Sequence, residues 1–468
     1  MEILEKTSLS SVDDMGAVFI GDKKVYRGVN RNAVGSTRRL LNCGLIKELE
    51  KNRLLPKTRI SEMQIIGYEL VIEHTKLGPI TYPFEWSPEM LRAAALCVLK
   101  VNDLANKYGY QLKDCHPYNV VFNGALPTFV DLGSFVKHKE GFGWVAHSEF
   151  LGSYYYPLIA KAKSLDSVYK KVFLDSGYGI GLVEGLVLFN PFFRVLGYSN
   201  VKKLSEIISS YKAGSKFTAK DIENKFDNKF VVSIAKFLLS SKIMPLRRTN
   251  LRSLEKKIKN IKLNGVSKWS RYHETSKYYD EGGNVKLSDR FNWVKSQCQR
   301  LKPESITELA GNQGVLIREL SKETFLRGAV IADYDSYAID FLYLSERESE
   351  KITTACFNFM SGTYRHIASD ERSNRLRSEM VIAMAVTHHL LLTQGYSIDN
   401  ILKTILNYTE RYMLIEFMPL GLWDGATAPL LPQWYTEEWF VQSLSMFCVI
   451  QNRKVLGKNR VIYTCEKI

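Results

Sequence analysis

The chain opens with short β-type alternation, moves into long stretches of helical spacing, and ends in a regular exchange of the two. Residues 17–29 read as two strands around a Gly21-Asp22 turn, and 68–74 as a third strand. Residues 37–51 and 88–108 carry apolar side chains at helical spacing, with Ser87 predicting an N-cap and Pro88 the first helical position. From 151 to 241 the pattern is largely helical. Its most apolar window, 177–193, is broken by Glu184, Asn190 and Pro191 and predicts a buried helix rather than a membrane span. From 286 onward the spacing predicts helices over 286–301, 313–324, 336–346 and 397–409. Strands are predicted over 306–310, 329–333, 352–358, 379–386 and 411–418, with closing β-runs in 447–453 and 460–465. Alternating strands and helices imply a mainly parallel sheet covered on both faces. The expected fold class is therefore α/β: a C-terminal Rossmann-like sheet with a terminal antiparallel hairpin, preceded by an α+β domain.

A chain of 468 residues exceeds one ordinary domain, and 45% apolar with 12% aromatic residues is enough to build large cores. The borders expected are 1–241, a connector over 242–285, and 286–468. The connector is marked by Lys242, Arg247, Arg248, Arg252, Lys256, Lys257, Lys259, Lys262, Lys268 and Arg271 against the single acid Glu255. A solvated basic helix face accounts for such a run, and so does contact with a polyanion such as RNA, for which Trp269 and Tyr272 could stack bases. The net charge of +15 points the same way without choosing among nucleic acid, nucleotide, anionic glycan and acidic membrane surface. Seven scattered cysteines with no C-x-x-C pair suggest reduced thiols, and the first residues do not form a signal peptide. A cytoplasmic protein without a transmembrane segment is expected, while its oligomeric state is not legible.

The densest chemistry lies in ITELAGNQG at 306–314 and VIADYD at 330–335. A strand ends in Glu308, a turn comes next with Gly311 and Gly314, and the following strand ends in Asp333 and Asp335. Open α/β sheets bind nucleosides in this way, glycines admitting the ligand and an acid taking the ribose hydroxyls. With no G-x-G-x-x-G, a ligand lacking a diphosphate, such as S-adenosylmethionine, is favoured over NAD. Glu308 and Gly311 are expected at its amino-acid end, Asp333 at the ribose and Asn358 at the adenine edge. His388 and His389 close the 379–390 segment, and one of them is a candidate general base near neutral pH. The other candidate is Glu416, near the end of YMLIEF.

This order resembles class I S-adenosylmethionine-dependent methyltransferases. ERSNRLRSEMVIAMAVTHHL, LIEFMP and VLGKNRVIYTCEK resemble a bacterial nodulation-related group, as do the upstream strings YPFEWS, LKDCHPYNVVFNGALPTFVDLGSF and WSRYH. The resemblance implies methyl transfer, with a hydroxyl on a sugar or glycan intermediate as acceptor. Ala310 and Gln313 stand where that family commonly has glycine or a small residue.

A second constellation lies upstream. Asp114 and Asn119 in KDCHPYN precede Asp131 in DLGSF, and the segment resembles a kinase fold. In kinases the first Asp orients the attacking hydroxyl, and the Asn and second Asp hold Mg²⁺ on ATP phosphates. The resemblance implies Asp114 as base and Asn119 and Asp131 as metal ligands. No glycine-rich phosphate loop precedes them, Leu112-Lys113 replaces His-Arg, and Lys24 and Arg27 are candidates for the ATP-binding cation. The expectation is a methyltransferase with an N-terminal kinase-like domain, active or not. An RNA methyltransferase and a scaffold built on an inactive kinase are the alternatives.

Overall fold

The computed structural model describes residues 4–6, 14–138, 143–173, 179–212, 218–240, 250–263, 265–267, 269, 287–361, 372–423, 425–427 and 429–468. Two compact units emerge. The first holds Met1–Lys76, Leu91–Val121 and Pro127–Leu263; the second holds Leu77–Met90, Phe122–Leu126 and Asn264–Ile468. Two segments read from sequence as part of the first domain thus belong to the unit of the C-terminal sheet. Of the expected connector, the helix Leu251–Lys259 belongs to the first unit, while Lys242, Arg247, Arg248, Lys268, Arg271 and Tyr272 lie outside the described residues.

In chain order the first strands are β1 (Glu5–Lys6), β2 (Gly16–Ile20), β3 (Lys24–Val29), β4 (Thr58–Ile60) and β5 (Leu70–Thr75). They form an antiparallel sheet ordered β1-β2-β3-β5-β4. The expected Gly21-Asp22 turn is present, with Gly21 N donating to Lys24 O at 2.9 Å. The helix expected over 37–51 is two, Val34–Asn42 and Leu45–Lys51, because Gly44 between them adopts φ 93°. Next come β6 (Tyr110–Leu112), β7 (Val120–Asn123), β8 (Leu126–Phe129) and β9 (Phe135–Lys137), with β6 paired to β9 and β7 to β8. From His147 to Leu263 the described chain is mostly helical. The window at 177–193 departs from expectation. Its described part carries two short helices, Leu182–Phe189 and Pro191–Leu196, in which Gly185 and Leu196 are the buried residues.

The second unit carries β10 (Ser305–Leu309), β11 (Gly328–Asp333), β12 (Ile352–Cys356), β13 (Ser378–Ala383), β14 (Thr409–Phe417), β15 (Cys448–Val455) and β16 (Val461–Lys467). Their order is β12-β11-β10-β13-β14-β16-β15. The first five run parallel and β16 lies antiparallel to both neighbours, which makes the expected terminal hairpin. The apolar runs VIA of β11 and MVIA of β13 are buried, as befits central parallel strands covered on both faces. This is a Rossmann-like sheet. Its order reverses between β10 and β13, and the crevice beyond the carboxyl ends of those strands is where such sheets take ligands.

The segment Leu77–Met90 is fixed to this unit by charge. Glu85, fully buried, accepts from Arg372 Nε at 2.8 Å and Arg375 Nη2 at 2.7 Å. Ser87 does not supply the N-cap expected of it: its hydroxyl, fully buried, has no hydrogen-bond partner among the described residues. Asp340 substitutes, accepting from Glu89 N at 2.8 Å.

Candidate functional site

The candidate residues lie at or near the carboxyl ends of five parallel strands of the second unit, on either side of the switch point between β10 and β13. Glu308 and Leu309 end β10, with Leu309 opposite Ala332 on β11 and Ala383 on β13. The chain then turns sharply, with positive φ at Ala310 (54°), Asn312 (50°) and Gly314 (63°). L-residues rarely adopt this region, and asparagine tolerates it better than alanine. Ala310 was expected to stand in a glycine-type position and does. The other such position is Asn312, not Gln313, which is fully buried. Gly311 is required for a different reason. A Cβ there would lie 2.8 Å from Ile331 Cγ2 and 2.9 Å from Glu308 Oε2, so the backbone rests directly on the carboxylate.

Glu308 is 4% exposed, and its Oε2 has no hydrogen-bond partner among the described residues. Burial pushes its pKa up to about 8, opposed by Arg290 and reinforced by Asp333. Asp333 ends β11 and receives Asn312 N at 2.9 Å on Oδ2 and Asp335 N at 2.9 Å on Oδ1. Burial raises it to about 6 against those donors. Each Asp333 oxygen keeps accepting capacity. Asp335 has a structural task, capping the helix Ser336–Glu346 through Tyr337 N at 3.0 Å. Asn358 lies two residues beyond β12, exposed, its Oδ1 accepting from Met360 N at 3.0 Å.

His388 and His389 belong to the helix Thr387–Leu392 that succeeds β13, where a strand was expected to continue to 386. Their rings lie 4.2 Å apart, and the Trp269 ring meets His389 edge-on at 5.6 Å. The Trp269 carbonyl accepts from Asn312 Nδ2 at 3.0 Å, so Trp269 joins the turn to the histidines. Among the described residues His388 Nδ1 has no hydrogen-bond partner, and burial, His389 and Arg460 hold this ring down to about 3, neutral at physiological pH. Glu416 is fully buried, with Arg290 Nη1 at 3.2 Å on one oxygen and Arg460 Nη1 at 2.8 Å on the other. Its two guanidinium partners leave it poorly suited to abstract a proton. Sequence reading missed Trp269, Asn312, Arg290 and Arg460 as neighbours of this site. Asn312, Trp269 and Arg460 lie in strings that the sequence singles out, but nothing in those strings assigns them to this site.

In the first unit Asp114 lies in the loop between β6 and β7, where Asn119 Nδ2 donates to its Oδ1 at 3.2 Å and His116 Nε2 stands 3.5 Å away. Asp131 comes after β8 and is held by cations and donors from its own unit. Arg27 Nη2 on β3 and Gly133 N both reach Oδ1 at 3.0 Å, and Ser134 Oγ donates to Oδ2. Lys24, the other candidate cation, pairs with Glu73 at 2.9 Å. A divalent ion does not fit this set. Asp131 is already neutralised by Arg27, Asn119 turns its NH₂ toward Asp114, and no cluster of three or more His, Cys, Asp or Glu side chains suited to a metal occurs among the described residues.

No protein-family model matches the chain. It is 25% identical over 412 residues to the nodulation protein NoeA of Rhizobium meliloti (strain 1021), spanning 85% of this chain and 82% of that protein. Among solved structures, N-methyltransferase NodS from Bradyrhizobium japonicum WM9 in complex with S-adenosyl-L-homocysteine matches 43% of this chain and 99% of its own, at 10% identity and a TM-score of 0.31. An S-adenosylmethionine-dependent methyltransferase from Clostridium acetobutylicum ATCC 824 matches 42% and 97%, at 11% identity and a TM-score of 0.32.

Proposed function

We propose that the second unit is an S-adenosylmethionine-dependent methyltransferase. The observation that carries this is the buried, unpaired Glu308 beneath the Gly311 turn, one strand away from Asp333. A diphosphate placed on that turn would face two acids, whereas a ligand with an ammonium group, a sulfonium and a ribose complements them. S-adenosylmethionine, when bound, supplies an electrophilic methyl carbon on a cationic sulfur. Gly311 gives the clearance for close approach, Glu308 receives the cationic amino-acid end, Asp333 accepts from the ribose hydroxyls, and Asn358 faces the adenine edge.

The chain's remaining contribution is to align an acceptor, since methyl transfer depends chiefly on in-line placement of nucleophile and methyl carbon. His388 and His389 stand at the adjoining strand end. His388, held down to about 3, is a poor proton acceptor, so His389 is the candidate base for a hydroxyl acceptor, whose proton must leave as the bond to carbon forms. The acceptor we favour is a hydroxyl of a sugar or glycan intermediate. Glu416 serves by holding Arg290 and Arg460 in place rather than by exchanging protons.

Equilibrium binding of labelled S-adenosylmethionine tests the core reading. Asp333→Ala is expected to weaken binding by about 2–3 kcal/mol, roughly 30- to 150-fold. No binding by the wild type, or unchanged binding by the variant, would sink it. Incubating the protein with labelled cofactor and extracts of its own cell, then applying mass spectrometry, identifies the acceptor. A methylated nucleotide product would replace the glycan by RNA. That alternative is weakened by Trp269, which packs in the cofactor crevice instead of standing ready to stack bases.

For the first unit we propose a kinase-like fold that does not transfer phosphate. Its support is the run β6, Asp114 loop, β7, β8, Asp131, joined to a sheet in which helices separate β3 from β4. Arg27 on Asp131 opposes phosphotransfer. Magnesium with ATP is expected to leave the melting temperature of the full chain unmoved. A metal-dependent shift that disappears in Asp131→Ala would overturn this reading.

A further inference from the structure

A group of uncovered apolar side chains lies where three helices of the first unit meet: Leu182–Phe189, Pro191–Leu196 and Tyr198–Lys212. The break at Asn190 comes from its side-chain oxygen, which accepts from Phe192 N at 3.0 Å while Pro191 opens a new helix. A second turn at Gly197, with φ 77°, starts the third helix. The inner faces pack, with Leu196, Val201 and Leu204 buried and Val183, Leu186, Val187 and Phe193 against them. The outer face does not. Leu188 is 49% exposed, Phe192 48%, Val195 84% and Tyr198 48%. Four large apolar side chains within eleven consecutive positions stay uncovered, and clustered apolar exposure of this kind marks an interaction surface.

The charges beside the patch choose among partners. Over 177–206 the acids are Glu184, to which Tyr198 Oη donates at 2.8 Å, and Glu206. The cations are Arg194, Lys202 and Lys203. Arg194 is exposed, and its guanidinium donates to the carbonyls of Val187 and Leu188, which places it at the edge of the patch. Exposed phenylalanine, leucine and tyrosine, with an arginine at their edge and a lysine pair on the following helix, resemble helices that lie in a bilayer interface. The net charge of +15 gives the whole chain the sign that an anionic surface attracts, and would set like charges against each other in a second copy. No helix among the described residues is long and apolar enough to cross a membrane, so this contact is one of lying on a surface.

We propose that the helical turn bearing Leu188, Phe192, Val195 and Tyr198 docks the protein onto an anionic bilayer. The aromatic and aliphatic side chains enter the head-group region, and Arg194, Lys202 and Lys203 meet lipid phosphates. The proposal is independent of the methyltransferase reading. Its test is co-sedimentation of the full chain with phosphatidylcholine vesicles containing or lacking phosphatidylglycerol. The expected result is salt-sensitive binding to the anionic vesicles only, weakened about tenfold or more in Phe192→Asp/Val195→Asp and partly in Lys202→Glu/Lys203→Glu. All four side chains contribute little to the core, so melting curves of the variants are expected to overlay the wild type. Absence of wild-type binding to anionic vesicles overturns the proposal, as does binding unchanged by Phe192→Asp/Val195→Asp. A dimer in size-exclusion chromatography that this double variant disperses, without vesicle binding, would assign the patch to a second copy instead.

Discussion

Replacing Glu85 by alanine is expected to destabilise the second unit by about 3–5 kcal/mol, the cost of stranding buried charges without their partner. Glu85 is fully buried and serves two arginines at once. Arg372 Nε and Arg375 Nη2 share Oε1 at 2.8 and 2.7 Å, while Arg375 Nη1 at 3.2 Å and Tyr82 N at 2.9 Å share Oε2. The guanidinium of Arg372 lies 4.2 Å from the Phe357 ring centre and that of Arg375 4.3 Å from the Tyr82 ring centre. Neither arginine has room to swing into water, with side chains 3% and 6% exposed. For a unit of this size the loss corresponds to a fall of roughly 10 °C or more in melting temperature. The effect reaches the crevice, because Arg372 also holds the carbonyls of Asn358 and Ser361 at 3.4 and 3.3 Å. Thermal unfolding checks the first claim and cofactor affinity the second. A melting temperature unchanged in Glu85→Ala would show that the buried cluster does not hold this segment. In the double variant Glu85→Ala/Arg372→Ala the losses should fall short of additive, since the second change removes a charge the first has stranded.

The Glu85 cluster also shows what a sequence discloses and what it withholds. Helices and strands of the second unit were legible because each has a clean period. MVIA in β13 and the alternating helix Ile398–Leu406 announce themselves through short-range patterning. The parallel sheet was legible from the same alternation. The strand-end placement of the candidate acids was legible too, since Glu308 and Asp333 close apolar runs. What was not legible depends on partners distant in sequence. Glu85 and Arg372 are 287 residues apart, and nothing in YPFEWS says where its carboxylate goes. Ser87 has the composition of a cap, yet Asp340 supplies the hydrogen bond from 251 residues away. Glu416 has the strand-end position of a general base, but Arg290 and Arg460 occupy its two oxygens. The 177–193 window was apolar enough to read as core, yet Leu188 and Phe192 within it are 49% and 48% exposed.

Glu308→Gln is expected to make the ligand-free protein more stable and the cofactor complex weaker, both as a consequence of one buried carboxyl. Burial holds the Glu308 proton up to about pH 8, against an ordinary value of 4.5. Between those two limits the folded chain binds more protons than the unfolded one, so this group's contribution to stability falls as pH rises through the window. The amide removes that penalty. At pH 8–9 the ligand-free variant should exceed the wild type by roughly 2–4 kcal/mol, while near pH 4 the two should converge. A cationic ligand reverses the preference, because it favours the ionised carboxylate. Wild-type affinity for S-adenosylmethionine should therefore climb by on the order of tenfold per pH unit between about pH 6 and 8, one proton leaving per ligand bound. Asp333, raised to about 6, adds to the slope at the lower end. In Glu308→Gln the climb should vanish above pH 6, with affinity lower by about 3 kcal/mol, roughly a hundredfold, at pH 8. Chemical denaturation and calorimetric titration in buffers of different ionisation enthalpy read both halves. An amide variant that is less stable at high pH would identify Glu308 as a structural acid that is paired in solution. A flat pH profile in the wild type would remove the cationic ligand from the crevice altogether. Stability surrendered at an unpaired buried acid, and recovered only when a cation arrives, is what separates a binding site from a packing accident.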